Sequence, residues 1–413
     1  MPAAPAAAPA KPGQQQQVRP RSFLVGTQEV TEGQDYDQTV ATYGASFPNW
    51  ALTATGWLKG IWLDLLATTS ANAVATVTAT ENYPFNVLGN IQLNDVNNEA
   101  IFGPFDGYTA MLTNKYGGYG NAEDPATAAT YYVVAGTGTN AAAKSFHWNL
   151  WIPLEIVRRD PIGAVASVNN TAALTLVMSY NTQANLFSAA PTSAPSLRIR
   201  GTQVFYWEPK KMDRAGRPIA GSPPAAGTTQ YWTQGSLPAT GGTNNLQLNT
   251  ALGYPWRNYL FMLVRSAGTR ANGELDWPDP IVGIKFEANM LISQYQKVLW
   301  NQKMARDYGY RNTNLQQTTP ADARFTDVAA VGTQATYVES GLENGVKVLN
   351  FCKDFAFDKP GSETRRTYLV SSPGSNFIFN GSLANAGTLF SIVNYVAPAG
   401  GNKGDTASLT GGQ

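Results

Sequence analysis

The stretch KSFHWNLWIPLEIVRRDPIGAV, residues 144–165, contains the only histidine of a 413-residue chain. It also gathers two tryptophans, a glutamate, two adjacent arginines and an aspartate. Such a set is either an active site or the corner of a strand, and the choice decides both fold and function. Alternation argues for the strand. Phe146, Trp148, Leu150 and Ile152 then point to one side, and Ser145, His147, Asn149 and Trp151 to the other. His147 lies opposite the most apolar face, beside an Asn and a Trp. One histidine cannot make a His-rich metal set, and no Ser or Cys sits in a nucleophile-elbow context. His147 therefore reads as a hydrogen-bonded side chain at a strand edge. Arg158, Arg159 and Asp160 follow at the corner, where they can pair across a turn or a subunit contact.

The same pattern extends outward. GWLKGIWLDLLATT (56–69) is apolar on both pleat faces, which predicts a strand covered on both sides. Further strands are predicted over 73–81, 90–96, 146–154, 174–181 and 196–208, each bounded by Gly, Pro, Asn or Thr. GPFDGYTAMLTNKYG (103–117) spaces Tyr108, Met111 and Leu112 as a short helix would. Residues 209–227, PKKMDRAGRPIAGSPPAAG, are rich in Pro and Gly without any period and mark a linker. The strand pattern then restarts at 229–237, 244–250, 256–266 and 281–288. LISQYQKVLWNQKMARDY (291–308) reads as a helix with two apolar stripes, Leu291/Tyr295/Val298 and Trp300/Met304/Tyr308, wedged between two surfaces. Strands at 345–357, 365–382 and 388–398 close the pattern. Both halves end alike, in an apolar strand, a charged loop, and a last pair of strands. One β-unit used twice is the simplest account. The expected plan is a flexible arm at 1–35, a first unit at 36–208, the linker, a second unit at 228–398 and a flexible tail at 399–413.

Composition narrows the function. Only 14% of residues are charged, and the 29 basic and 28 acidic side chains leave a net charge of +1. A dispersed soluble protein commonly carries about 25% charged residues. Low charge with 10 Trp, 19 Tyr and 17 Phe suits a surface that meets other protein. A sequence-specific nucleic-acid reader would need a basic stripe. The densest basic cluster, EPKKMDRAGR (208–217), is broken by acids and reads as a solvated linker. The lone Cys352 excludes an intramolecular disulfide framework, and in VKVLNFCKDF it reads as a small buried hydrophobe. No apolar run approaches the ~18 residues of a membrane span. MPAAPAAAPAKPGQQQQVRPRS (1–22) lacks the apolar centre of a signal peptide, so synthesis in a cytoplasm is expected.

Other candidate chemistry reads as structure. Glu274, Asp276 and Asp279 in GELDWPDP could form a carboxylate pair of the kind that hydrolyses glycosides. The two prolines favour a rigid exposed turn instead. KYGGYGNAED (115–124) lacks the Lys-Ser/Thr ending of a phosphate loop. No catalytic, metal-ligating or cofactor-binding residue is assigned, and the chain is expected not to be an enzyme.

These segments, taken in order, resemble one family. GWLKGIWLDLLATTSA, FNVLGNIQLND, and FHWNLWIPLEI with DPIGAV before LTLVMSY carry the likeness in the first unit. GVKVLNF and YLVSSPGSNFIFNGS carry it in the second. Across residues 50–398 the chain is similar to the double-jelly-roll major capsid proteins of tectivirus-type, membrane-containing icosahedral bacteriophages. The resemblance implies an all-β fold with two jelly-roll β-barrels side by side and short helices in the long loops. It implies a homotrimer with a pseudo-hexagonal base that meets neighbouring capsomers, minor capsid or vertex proteins and an inner viral membrane, in a virion. The Pro/Ala arm departs from the family's more helical, Gln-rich arms, although GQQQQ is retained. A carbohydrate-binding or glycoside-hydrolase β-sandwich is the alternative, suggested by the Trp and Tyr content and opposed by the missing secretion signal.

Overall fold

The computed structural model of the chain describes residues 23–31, 35–53, 56–69, 77–119, 132–133, 144–156, 163–166, 173–207, 212, 228–266, 270, 273, 276–278, 281–295, 297–308, 325–327, 338–352 and 368–398. In the long strand Trp57–Thr68, Ile61, Leu63, Leu65 and Ala67 are fully buried, while Trp62, Asp64 and Leu66 lie on the other face. Period-two burial of this kind requires a second sheet over the apolar face.

The first unit supplies that sheet from its own strands. They are β1 (Tyr36–Val40), β2 (Trp50–Ala51), β3 (Trp57–Thr68), β4 (Leu88–Asn94), β5 (Ala100–Phe105), β6 (Phe146–Pro153), β7 (Thr175–Tyr180) and β8 (Ser196–Tyr206). Their neighbours follow the orders β1-β8-β3-β6 and β2-β7-β4-β5, all antiparallel. The second unit has β9 (Thr228–Ala239), β10 (Gly242–Gln247), β11 (Pro255–Arg265), β12 (Ile281–Phe286), β13 (Asn289–Tyr295), β14 (Val346–Asn350), β15 (Phe377–Leu383) and β16 (Gly387–Pro398). Its orders are β9-β16-β11-β14 and β10-β15-β12-β13. Each unit thus pairs its first, eighth, third and sixth strands, and its second, seventh, fourth and fifth. That permutation is the jelly roll.

Each unit also places a helix just after its fifth strand: α1 (Gly107–Gly117) follows β5, and α2 (Lys297–Tyr308) follows β13. Asp106 caps α1 by accepting from the Thr109 amide at 2.8 Å. Gly118, at φ 79°, ends it in the left-handed conformation that glycine adopts without a steric cost. The two units share one surface. β5 pairs in parallel with β9 through Phe102 and Trp232, so one sheet of each unit continues into the other as nine strands. A single hydrophobic cluster runs through both units, from Tyr36 to Ala397.

Three sequence expectations need correction. The helix expected over 291–308 begins at Lys297, and Asn289–Tyr295 is a strand paired with β12. Leu291 and Tyr295, four apart, share a face under either period, so their spacing could not discriminate. The turn between β12 and β13 is two residues long, with Glu287 at φ 54°, and lacks the Asn-Gly signal of such turns. Of the two stripes, Trp300, Met304 and Tyr308 are buried and Leu291 is exposed, while the side chains of Tyr295 and Val298 lie outside those described.

The end of the expected arm is also not free. Glu29–Thr31 pairs with Val204–Tyr206, and Phe23 is buried with its ring edge-on to Trp57 and Tyr206 at 5.8 Å. Burial of that aromatic against two others outweighs the cost of ordering a few residues. Residues 1–22, the tail, and all of the linker but Met212 lie outside the described residues. Finally, GELDWPDP is not an exposed turn where it is described. Asp276 and Trp277 are 3% and 2% exposed. Arg265 clamps Asp276 with two bonds of 2.7 Å, and the Trp277 indole donates to the Gly345 carbonyl at 3.0 Å. Glu274 and Asp279 lie outside the described residues.

Trp300 fills the second unit beside Phe261 and donates its indole N–H to the Val348 carbonyl at 2.9 Å. Trp300→Ala should cost about 3–5 kcal/mol in chemical denaturation. Leu299→Ala, one residue away on the exposed side, should stay within about 0.5 kcal/mol.

Candidate functional site

All eleven residues of α1 are buried, including Lys115. A lysine with no access to water must meet an anion, and the partner comes from the other unit: Lys115 Nζ lies 2.7 Å from Glu343 Oε1. The second carboxylate oxygen accepts from the Tyr108 hydroxyl at 2.9 Å and lies 3.7 Å from Arg270. The Arg270 guanidinium stacks 4.1 Å from the Tyr108 ring centre and bonds Asn82 and the Asn344 carbonyl. Gly345, at φ 72° and two residues after Glu343, turns the chain where a side chain would press on the Leu263 and Arg270 carbonyls. Burial pushes the Tyr108 hydroxyl well above its usual range, so it stays a donor. Asp106 is raised by burial too, against its bonds to Thr109 and the charge of Arg270.

The C-terminal end of α1 rests on the outer face of the second unit. Asn258 donates to the Tyr116 carbonyl at 2.8 Å, Tyr119 donates to Gln230 at 2.7 Å, and the Tyr116 ring meets Tyr308 of α2 edge-on at 5.3 Å. A second polar junction lies beside Glu155, in the opening stretch. Its backbone carbonyl accepts from Gln230 at 2.8 Å. Its carboxylate accepts from Tyr206 at 2.8 Å and lies 3.5 Å from Lys59, which Glu29 also engages. Burial raises the Glu155 pKa to about 7, with Lys59 and Tyr206 opposing.

His147 sits on the other side of the first unit. It is flanked by β3 and by the short strand Tyr132–Val133, not placed at an edge. Its ring nitrogen pairs with one oxygen of Asp64, while Arg200 holds the other. Arg198 clamps Asp37 alongside at 2.7 and 2.5 Å. Trp62 tilts over Trp151 at 4.9 Å and remains 44% exposed. The result is an ion lattice beside the exposed Trp62, whose neighbour Trp151 is buried. Arg158, Arg159 and Asp160 lie outside the described residues. Cys352 is buried with Ile156, Tyr368 and Val396, between the units.

The two polar junctions assemble residues that the sequence scatters. Lys115 and Glu343 are 228 positions apart, and Tyr119 and Gln230 are 111. No local motif announces them. The available signal was one lysine inside an otherwise uncharged helix.

Both units follow the same strand permutation and share a continuous sheet and a buried helix. The chain has the double-jelly-roll fold of viral major capsid proteins. The atomic structure of Sulfolobus turreted icosahedral virus matches this double jelly roll with a TM-score of 0.55 and 12% identity, over 92% of this chain and 93% of its own. The crystal structure of that virus's major capsid protein matches at 0.53 and 12% identity, over 89% and 96%. PBCV-1 VP54, fitted into a reconstruction of the virophage Sputnik, matches at 0.50 and 9% identity, over 90% and 94%. No protein-family model and no curated protein matches the sequence. At such low identity the likeness is one of fold.

Two predictions follow from the junctions of the double jelly roll. Lys115→Ala strands the Glu343 charge and should cost about 3–5 kcal/mol in denaturant unfolding. Adding Glu343→Gln should recover part of that loss. Between pH 4.5 and about 7, Glu155 holds a proton in the folded chain that the unfolded chain releases. Stability should therefore fall as pH rises through that window and level off above it, by about 3 kcal/mol in total. Glu155→Gln should flatten this slope in thermal melts, and an unchanged slope would assign it to other groups.

Proposed function

We propose that this chain is the major capsid protein of a membrane-containing icosahedral phage. Three copies form a pseudo-hexameric capsomer that tiles the shell. The observation that carries the reading is the pair of jelly rolls locked into one block by a helix buried between them. Such a block presents two similar towers, and three such blocks supply six. Whole-chain likeness to the capsid proteins of two viruses supports it. So does the near-neutral, aromatic-rich composition, which suits a chain whose surfaces meet copies of itself. The reading assigns no catalytic step, metal or cofactor. It places the protein in the virion after synthesis in a host cytoplasm, beside neighbouring capsomers, minor or vertex proteins and an inner membrane.

The N-terminal segment has a separate place in this reading. Prolines at 2, 5, 9 and 12 prevent a continuous helix, and Lys11, Arg19 and Arg21 make the segment locally basic. A segment of that composition orders only against another surface, a neighbouring subunit or an anionic lipid face.

Light scattering and negative-stain microscopy of the purified chain should show compact trimers or shells. Monomers that bind a glycan column would favour the sugar-binding alternative. Deleting residues 2–20 should leave β-sheet content and trimer mass unchanged but impair shell formation or membrane retention. Added salt should mimic the loss where charge dominates. Full membrane-containing particles from the truncated chain would refute this role for the segment.

A further inference from the structure

The junction around α1 holds a lysine and a glutamate where neither charge can reach water. Lys115 Nζ lies 2.7 Å from Glu343 Oε1, and both side chains are 0% exposed. Lys59 meets carboxylates under other conditions. It is shared between Glu155 and Glu29, and Glu29 is 47% exposed, so water competes for that contact. The helix prepares the buried contact. Tyr108 and Lys115 are two turns apart in α1 and therefore lie on one face. Each takes one oxygen of the same carboxylate: the Tyr108 hydroxyl donates to Oε2 at 2.9 Å, while Lys115 engages Oε1. The Tyr116 hydroxyl accepts from the Glu343 amide at 3.1 Å, so the backbone of the acid is held as well.

Three features of this arrangement exceed what an ion pair needs. An amine nitrogen is held against a carboxyl group inside a closed site, and fixed proximity of two reactants is worth an effective concentration of up to about 10⁵–10⁸ M. The oxygen that lysine does not engage faces two donors, the Tyr108 hydroxyl and the Arg270 guanidinium at 3.7 Å. Donors aimed at a carboxyl oxygen in a buried site are what stabilises an oxyanion. Burial keeps the Tyr108 hydroxyl protonated. Arg270 stacks on its ring and bonds Asn82 and the Asn344 carbonyl, so neither donor can swing away. Finally, Arg270 Nη2 is buried with no acceptor among the described residues, which leaves a donor for a small product. Two buried charges are costly to keep, and a neutral bond between them removes that cost.

We propose that Lys115 and Glu343 condense into an intramolecular isopeptide bond that joins the two units covalently. A proton passes from the Lys115 ammonium to Glu343 Oε1, leaving a neutral amine and a neutral carboxyl. Nζ then bonds to Cδ, and the electron pair of the carbonyl moves onto Oε2, where the Tyr108 hydroxyl and Arg270 stabilise it. A second proton passes from Nζ to Oε1, the Cδ–Oε1 bond breaks, and Oε1 leaves as water, which Arg270 Nη2 can hold. The electron pair on Oε2 re-forms the carbonyl, still bonded by Tyr108. Two charges disappear from the interior and one water is released. No oxidant, cofactor or second molecule takes part. The ion pair selects the register of the units, and the bond then fixes it across 228 positions of the chain. It does not depend on what the chain assembles into.

Mass spectrometry of a tryptic digest of the full-length, folded chain tests the bond directly. Trypsin cuts after Lys and Arg, so a free Lys115 yields separate peptides of residues 60–115, 116–144 and 325–347. The linked chain should instead yield residues 60–144, uncut after Lys115, joined to 325–347 and lighter by one water than the two peptides apart. Boiled in SDS, the linked chain carries a closed loop and should run ahead of Lys115→Arg, which keeps the cation but lacks the amine that attacks. Tyr108→Phe removes one oxyanion donor and should slow bond formation about 10²–10³-fold, read as linked fraction against time after cell-free synthesis. Should either variant fail to fold, the wild-type digest decides alone. Free 60–115 and 325–347 peptides with no linked species would overturn the bond and leave an ion pair. So would a water lost at another lysine, which maps to other peptides.

Discussion

Lys115 and Glu343 come from opposite units, and neither side chain touches water. A buried pair of this kind adds little net stability, since both charges lose their hydration. Its force lies in what happens when it is broken. Any docking of the two barrels that moves Lys115 away from Glu343 leaves a bare charge in an apolar interior. Tyr108, Arg270 and the turn at Gly345 surround the carboxylate, so few alternative positions could satisfy it. The apolar surface around α1 supplies attraction between the units, and the ion cluster selects one register among the many that attraction alone would allow.

That selection explains why two helices in equivalent places have unlike compositions. α1, GYTAMLTNKYG, carries one charge because every side of it is enclosed. α2, KVLWNQKMARDY, buries Trp300, Met304 and Tyr308, the last against Tyr116 of α1, and places Lys303 and Arg306 outside. Among the described residues, α1 is enclosed in the junction between the units and α2 touches it at its end. The divergence is the trace of their different neighbours.

Much of the fold was legible because its long strands alternate over their first halves. FHWNLWIPL and SLRIRGTQVFYWE declare their inward faces residue by residue, and β6 and β8 bury those faces. β13 was misread because an i, i+4 spacing satisfies a strand as well as a helix. The ordering of residues 23–31 was missed because it depends on Trp57 and Tyr206, contacts that are distant in the chain. Of the junction, only the lone lysine of α1 left a mark. Glu343 sits in ESGLENGVKV, where it reads as one more turn residue, and its role exists only once residue 115 is beside it. The opening stretch holds the expected strand over Phe146–Pro153, yet the burial of Glu155 just beyond it was not foreseen. Nothing local distinguishes a carboxylate that folding will bury from one that it will not.

The position of β16 has a consequence in time. This last strand, Gly387–Pro398, lies between β9 and β11 and pairs along its full length with Thr228–Ala239. During synthesis the barrel therefore has a gap at its centre until Gly387–Pro398 leaves the ribosome. The first unit has the same slot, between β1 and β3, and it waits for β8. The slot stays open from Thr68 to Ser196 in the first unit and from Arg265 to Gly387 in the second, spans over which closure is slow and strand edges are exposed to wrong partners. A chain that stops before Gly387 lacks the strand that finishes the second unit's sheet.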